Sequence, residues 1–389
     1  MKKRISKDKL YILVIIIPFL LPDFSHMVIK VDIFINFIKV FASIVMLLRI
    51  FIEKRMRIIV DSSWLLLFCA LYIGTTMINS PENIRVAVVN AGTIFFMSLA
   101  ISECMRIDDK GFISLSYILL LYLCILNTAS VILFPSGFGQ TSNSDGYMYF
   151  WGYDNGFIWW DIILISLFLM KYEFIEKNKT YKRKMIVLFL IMGIPIFFRQ
   201  VGGGMAILIL YALYFMLRGI VFKNKEVHST KWVWGIIAGG LIVIFFRIQR
   251  LISWFIVLVL HKNIGLSGRY NIWEVAIPLI KEKIWFGHGA EVGYILRTST
   301  WLSVNHCHNF ILNTVYVVGL MGTGIFLIYL NSVLRKINKM ENGVRGILIL
   351  GLTMMFLSLI TESQKQMIQL VFMMQFALKC RLRKVEYET

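Results

Sequence analysis

The chain has 389 residues, of which 58% are hydrophobic and 16% are charged, and its formal net charge is +19. A mean hydropathy of +0.73 lies far from the average of soluble globular domains, so the composition excludes an ordinary soluble protein and indicates a polytopic membrane protein. The five cysteines lack CxxC spacing, so neither a disulfide framework nor a zinc site is expected.

Apolar segments follow one another along the whole chain. Because about 20 apolar residues cross a bilayer once, they predict an all-α fold with about twelve transmembrane helices in a single integral membrane domain over residues 1–389. The first segment follows a basic tail and has no small-residue cleavage site, so we expect a retained signal anchor. The predicted helices are 10–27, 33–52, 58–78, 84–101, 112–134, 155–171, 185–199, 204–222, 232–246, 309–331, 345–361 and 366–379.

Positive charge predicts the orientation of these helices. Lysine and arginine are retained on the cytoplasmic side, and most of the 41 such residues lie in the two tails and in every second loop. Both termini are therefore predicted to be cytoplasmic. The same distribution explains most of the net charge, which indicates anionic membrane lipid as the partner and not nucleic acid.

The first large outer loop, residues 134–160, is dense in Gly, Ser, Asn, Asp and aromatic residues. Such a loop suits turns and stacking on sugar rings, and Asp154 is a candidate substrate contact within it. An aromatic belt at the membrane interface explains Trp159 and Trp160 equally well.

The second large outer loop, residues 247–308, carries most of an unusual group of outward basic residues. A charged side chain costs about 2.5–3.5 kcal/mol at the centre of a membrane helix, and residues kept despite that cost usually face a cavity and bind a ligand. An anionic ligand on the outer face is the simplest explanation. The group consists of Arg199, Arg247, Arg250, Lys262, Arg269, Lys281, Lys283 and Arg297, of which Arg247 and Arg250 are candidate substrate contacts.

Within that loop, the stretch SGRYNIWEVAIPLIKEKIWFGHG (267–289) predicts a short amphipathic helix lying in the membrane interface. Its apolar stripe contains Arg269, Ile272, Trp273, Ala276 and Ile280, while Asn271, Glu274 and Lys281 lie largely off the stripe. Pro278 is expected to kink or restart the helix. Gly287, His288 and Gly289 then predict a tight bend.

Two histidines precede the tenth predicted span. His308 is expected at the N-terminus of that helix, where the positive end of the helix dipole favours a neutral imidazole that can accept a proton. A histidine at a helix start is also common as a cap or interface residue. His306 is the second candidate.

The segment and its neighbours resemble the signature of the O-antigen polymerase and ligase superfamily. The resemblance rests on Ser267-Gly268-Arg269, Ile272-Trp273, Ala276, Ile280, Gly287-His288-Gly289, His308-Asn309, Leu312 and Gly319. The motif covers about 60 residues, and the twelve-span plan with a large outer loop before the tenth span is similar over the whole chain. The family also places an arginine after serine at an earlier helix pair; Arg199 matches it, although Phe198 replaces the serine.

The resemblance implies a metal-independent glycosyltransferase in the bacterial cytoplasmic membrane, with no cofactor. The donor would be a polyprenyl-diphosphate-linked oligosaccharide, the acceptor a sugar hydroxyl of another lipid-linked repeat unit, and a chain-length regulator a candidate partner. Arg199 and Arg269 would bind the diphosphate leaving group, because guanidinium groups bind phosphate oxygens bidentately. His308 would take the acceptor proton or orient the hydroxyl, and the implied substrate contacts are His306, Trp273, Gly287, His288 and Gly289.

Three functions stay open at this point. A polymerase of capsular or O-antigen repeat units is favoured, because the chain has a short outer loop and no extra domain, as is typical of such polymerases. A ligase that moves finished glycan to another acceptor shares the same motifs. A flippase for the same lipid-linked sugar would also gather outward arginines, but no internal repeat is present.

Overall fold

The fold is known from a computed structural model of the full chain. It describes residues 7–21, 29–140, 147–153, 156–176, 181–218, 230–246, 269–290, 296–297, 303–304, 306–360 and 367–381. Nearly all of these residues are helical. The helices are α1 Lys7–Leu20, α2 Ile29–Ile52, α3 Arg57–Val60, α4 Ser63–Asn79, α5 Ile84–Ile107, α6 Asp109–Leu133, α7 Phe157–Leu169, α8 Tyr181–Phe198, α9 Gly202–Arg218, α10 Lys231–Phe246, α11 Arg269–Glu282, α12 Phe310–Ile337, α13 Asn342–Ser358 and α14 Ile368–Lys379.

The all-α prediction is confirmed, and each of the predicted apolar segments coincides with a helix. The segment 58–78 is divided between α3 and α4, and a π-helical turn, Met170–Ile175, extends α7. Polar residues fix several boundaries. Asp108 caps α6 by accepting a 2.7 Å hydrogen bond from the Gly111 amide, and a 3₁₀ turn at Pro81–Asn83 separates α4 from α5.

Four described helices are long and apolar enough to cross a membrane: Val31–Ile52, the 3₁₀ turn with α5 (Pro81–Ile107), Asp109–Leu133 and Phe310–Ile337. The large apolar side chains exposed on the outside of the bundle are compatible with a lipid environment. Phe34, Phe37 and Phe41 of α2 are 61%, 67% and 55% exposed, a continuous face that soluble monomers rarely show. The full number of spans and their orientation remain predictions.

Helices α7 and α14 lie at the centre of the bundle. Nearly every residue of both is buried, which explains why their sequences are apolar all round. On one side of the bundle, α5 and α12 each pack against both α4 and α14. On the other side, α13 packs against α7 and α10, and α6 packs against α7 and α8.

Two sets of short strands occur in segments where the sequence predicts only loops. The strands β1 Gly139–Gln140, β2 Tyr147–Tyr149 and β3 Gly152–Tyr153 form an antiparallel sheet in the order β1-β2-β3, with Met148 opposite both Gly139 and Tyr153. Strands β4 Leu296–Arg297 and β5 Ser303–Val304 pair antiparallel in the second outer loop.

The connections between helices gather at two opposite ends of the bundle. At one end Lys379, the last residue of α14, forms an ion pair of 2.8 Å with Asp61 before α4. At the other end Asn79, the last residue of α4, donates a 3.0 Å hydrogen bond to the Gly287 carbonyl. The first end includes the α2–α4 connection, which positive charge predicts to be cytoplasmic, and the second includes the 287–290 bend.

Candidate functional site

Helix α11 buries the apolar stripe that the sequence predicts. Ile272, Trp273, Ala276 and Ile280 are at most 8% exposed, whereas Asn271, Glu274 and Lys281 are exposed. The buried residues pack with Ile244, Cys307, Leu312 and Tyr316. Because residues three and four apart share one face of a helix, this stripe fixes α11 against the start of α12.

Pro278 lies inside α11, which continues to Glu282. Of the two predicted effects of this proline, a kink or a restart of the helix, the restart is wrong and the kink stays a prediction. Burial of the stripe on both sides of Pro278, at Ala276 and Ile280, holds the two halves against the same neighbours and outweighs the lost amide.

Trp273 connects α11 with the segment that carries the candidate histidines. Its indole Nε1 donates a 2.9 Å hydrogen bond to the Cys307 carbonyl, and its side chain is only 1% exposed. Cys307 is fully buried, and its amide donates to Asn313 Oδ1 at 3.1 Å. Trp273, predicted as a substrate contact, therefore lies beneath the histidine segment and fixes its position.

His306 and His308 lie on either side of Cys307 with their rings together. The ring centroids are 4.1 Å apart, the planes are inclined by 35°, and both side chains are half-buried. His308 has a φ of +45°, a left-handed conformation that is uncommon outside glycine and costs about 1–2 kcal/mol. The two histidines that the sequence treats as alternatives thus form a single pair.

Asn309 sets this pair at the start of α12. Its Oδ1 accepts a 2.9 Å hydrogen bond from the Leu312 amide, and its Nδ2 donates to the Ile360 carbonyl at 2.8 Å. His308 is thus the residue before the N-cap, next to the positive end of the helix dipole, where the sequence analysis expects it.

Arg269 is the first residue of α11 and is half-buried. It precedes Trp273 by four residues and therefore lies on the same side of α11, the side on which Trp273 bonds to Cys307. A cation at a helix N-terminus opposes the dipole by about 0.3–1 kcal/mol, so Arg269 does not stabilise the helix that it begins. A guanidinium group binds phosphate or carboxylate oxygens bidentately, so Arg269 is suited to an anionic ligand.

Helix α12 is broken at Gly319, where φ is +66° and ψ is −172°. The segment after α11 lies in the gap and replaces the missing helical hydrogen bonds. The amides of Leu320 and Met321 donate to the carbonyls of Ile284 and Trp285 at 2.8 and 3.1 Å, and those of His288 and Gly289 donate to the carbonyls of Tyr316 and Val317 at 2.8 and 2.9 Å. A broken helix at membrane depth is tolerated only where other protein groups satisfy its backbone, as they do here.

The tight bend at Gly287-His288-Gly289 is confirmed. Gly287 and Gly289 have φ of +72° and +85°, and a Cβ on Gly287 would lie 2.5 Å from the Val317 carbonyl oxygen. The end of α4 completes this junction: Ser80 Oγ donates to the His288 carbonyl at 2.7 Å. The three residues, predicted as substrate contacts, thus have backbone groups bonded to α4 and α12.

The His288 side chain also faces the protein. It is 9% exposed, its ring stacks on Tyr316 with centroids 4.7 Å apart, and its Nε2 lies 2.8 Å from the Leu279 carbonyl. A carbonyl oxygen only accepts, so Nε2 carries the hydrogen in this contact. His288 therefore joins α11 to α12.

Arg199 contacts the first outer loop. Its guanidinium lies 4.4 Å from the Tyr147 ring centroid and 5.5 Å from that of Tyr149, and Nη1 donates to the Pro135 carbonyl at 3.4 Å. Tyr149 also donates from its hydroxyl to Pro135, at 2.7 Å. Arg199 thus packs with a different loop from the one that holds Arg269 and the histidines.

The first outer loop is anchored to α6, and two of its tryptophans, Trp151 and Trp160, are buried, whereas Trp159 is half-buried. The Trp151 amide donates to Asn127 Oδ1 at 2.9 Å, and the Trp151 ring stacks on Trp160 with centroids 6.2 Å apart. Trp151 and Trp160 are 2% and 4% exposed, so neither sugar stacking nor an interface belt applies to Trp160. Arg247, Arg250 and Asp154 lie outside the described residues.

Sequence reasoning missed two features of this region. Thr76, Asn79 and Ser80 all form hydrogen bonds with the 287–290 bend. The sequence feature that could have indicated them is the group of polar residues in GTTMINS, where the apolar run of this helix ends. Asp161 is 1% exposed in α7 and accepts a 3.7 Å hydrogen bond from the Cys124 thiol. The sequence feature that could have indicated Asp161 is a single carboxylate inside an apolar run, which is typical of functional positions in membrane helices.

Comparison with known proteins identifies no relative of this chain: no protein-family model matches it, and no curated protein matches it significantly. Among the described residues, no group of three or more His, Cys, Asp or Glu side chains is placed to hold a metal ion.

Proposed function

We propose that the protein is a membrane glycosyltransferase that polymerises lipid-linked repeat units of a surface polysaccharide on the outer face of the bacterial cytoplasmic membrane. The observation that carries the proposal is the hydrogen bond from Trp273 to Cys307, which ties α11, the helix of Arg269, to the residue between His306 and His308. An anion-binding cation and a proton acceptor are the two groups that this transfer requires.

The reaction breaks the bond between the anomeric carbon of the donor glycan and its polyprenyl diphosphate, and the acceptor hydroxyl oxygen bonds to that carbon. Negative charge grows on the departing diphosphate, where the Arg269 guanidinium stabilises it. The acceptor proton passes to an imidazole of the histidine pair. Arg199, which follows α8 and packs against Tyr147 of the first outer loop, supplies a second cation for the diphosphate.

The membrane arrangement supports the same proposal. The described parts of the two large loops, together with Arg199 and Arg269, lie at the end of the bundle away from Lys379. With both termini in the cytoplasm and twelve spans, that end faces outward. The donor and acceptor lipids then reach α11, which lies along the membrane interface.

The experiment replaces the proposed groups in a strain that depends on this protein and compares its glycan ladder. Arg269→Ala and the double variant His306→Ala/His308→Ala are expected to abolish the ladder. Arg269→Lys is expected to recover little, because an ammonium group cannot bind two phosphate oxygens as a fork. Lys281→Ala is the matched control, since Lys281 is an exposed cation of the same helix. With normal protein levels, a full ladder in Arg269→Ala contradicts the proposal.

Deletion of the gene separates the related functions. A polymerase predicts loss of the ladder with single repeat units still attached, whereas a ligase predicts polymer that accumulates on the lipid. A flippase predicts repeat units that accumulate inside the cell.

A further inference from the structure

A large basic cavity opens at the end of the bundle opposite the candidate site. Its volume is about 840 Å³, within the range of small-molecule pockets. Its walls come from the α2–α4 connection and from the ends of α5, α12 and α14. Helix α4 lines it with Ser63 and Trp64 and ends at Asn79, which bonds to Gly287. With 17 residues, α4 separates the two sites by about 25 Å.

Positive charge dominates the cavity, because seven lysines and arginines line it against only Glu53 and Asp61. Both carboxylates are already paired: Asp61 with Lys379 at 2.8 Å, and Glu53 with Arg49 at 2.8 Å and with Arg55. Within the described part of the chain, no ion pair engages the other lining cations, which are Lys54, Arg57, Arg106, Lys336 and Arg381.

The paired groups give the cavity a fixed wall. Arg55 Nη1 lies 2.6 Å from Oε1 of Glu103, a carboxylate that is fully buried. The hydrogen bond from Arg49 keeps the pKa of Glu53 below its usual range, so Glu53 stays ionised and paired at neutral pH. These acidic groups therefore do not cancel the charge of the five remaining cations.

Apolar surface adjoins the cationic rim. Trp64 and Val60 are 41% and 65% exposed beside the charged residues, and Ile58 and Ser102 form a buried floor. A tryptophan beside cations is typical of the level of lipid headgroups. The cavity thus offers cations for a headgroup and apolar side chains for the first carbons of its acyl chains.

We propose that this cavity is a phosphate-binding site, occupied by the headgroup of an anionic membrane lipid. Guanidinium groups bind phosphate oxygens bidentately, and basic pockets between helix ends suit such headgroups. Five cations exceed the charge of one phosphate diester, so a lipid with two phosphates binds more tightly than a lipid with one. The inference does not depend on glycosyl transfer.

The test uses the purified full-length protein in neutral detergent, with binding followed by native mass spectrometry. The probes are cardiolipin, phosphatidylglycerol, phosphatidylcholine and inorganic diphosphate. The test variant is Arg106→Gln/Lys336→Gln, at two exposed positions on different helices. The control variant is Lys182→Gln/Arg183→Gln, at exposed positions that begin α8 and do not line the cavity. Thermal unfolding of both variants verifies that they fold.

We expect affinity to fall in the order cardiolipin, phosphatidylglycerol, phosphatidylcholine. At about 1 kcal/mol per cation and 1.4 kcal/mol per tenfold change, the test variant should bind cardiolipin about 30-fold more weakly, and the control should bind it normally. Equal affinity for phosphatidylcholine, or an equal loss in both variants, overturns the proposal. If inorganic diphosphate binds with the same affinity as cardiolipin, the assignment to a lipid is overturned and the ligand is a soluble phosphate.

Discussion

Replacement of Gly319 by alanine tests the junction between the broken helix α12 and the 284–289 segment. Gly319 has a φ of +66°, and a Cβ there would collide with the Trp285 carbonyl and lie 2.5 Å from the Phe286 amide nitrogen. The conformation costs a residue other than glycine about 1–3 kcal/mol. Relief of the collision displaces a segment held by four backbone hydrogen bonds, each worth about 1 kcal/mol. We therefore expect a loss of about 5–7 kcal/mol.

The free energy of unfolding in mixed detergent micelles measures this loss. Gly324→Ala is the matched control, because Gly324 lies in the same helix and a Cβ there meets no atom within 4 Å. Alanine at position 324 should stabilise the helix by about 0.5–1 kcal/mol. If both variants unfold at the same detergent fraction, the segment does not complete the helix as described.

Three further substitutions test the site. Trp273→Phe keeps the packed ring but removes the donor to Cys307, so the rate of glycan transfer should fall several-fold and unfolding should become easier by about 1–2 kcal/mol; unchanged transfer would show that this bond does not position the histidines. Asn309→Ala should destabilise by about 2 kcal/mol, as measured by unfolding, because it removes both the N-cap bond from Leu312 and the donor to the Ile360 carbonyl. Asn309→Asp keeps the cap but lacks the donor, so it should recover at most part of the loss, and full recovery would show that the bond to Ile360 contributes nothing. Arg199→Lys should lower transfer because an ammonium does not stack flat on Tyr147; normal transfer would remove Arg199 from the mechanism.

Helix positions follow closely from the sequence because each depends on a local apolar run and on nearby polar residues. The segment 309–331 is an example: Asn309 begins α12 at the expected position, while the helix continues to Ile337. The break at Gly319 could not be predicted, because the hydrogen bonds that make it tolerable come from Ile284, Trp285 and the bend that follows. Such pairings join residues far apart in sequence, and no periodic pattern reports them.

Part of the candidate site also follows from the sequence. The periodicity of α11 indicates its buried face, and two glycines indicate the bend. Sequence spacing could not show that Trp273 and His288 are packed against Cys307 and Tyr316, because burial depends on the neighbours that the fold supplies. For the same reason, only the structure shows that the rings of His306 and His308 contact each other, tilted by 35°.

The most direct test of the proposed function is transfer by the purified protein in lipid vesicles, with a polyprenyl-diphosphate-linked repeat unit as both donor and acceptor. The measurement is the release of polyprenyl diphosphate together with the growth of lipid-linked glycan. The proposal predicts both products from the wild-type protein and from Lys281→Ala, and neither from Arg269→Ala. Transfer by Arg269→Ala at the wild-type rate would contradict the proposal. So would the absence of transfer by folded wild-type protein that still binds the donor.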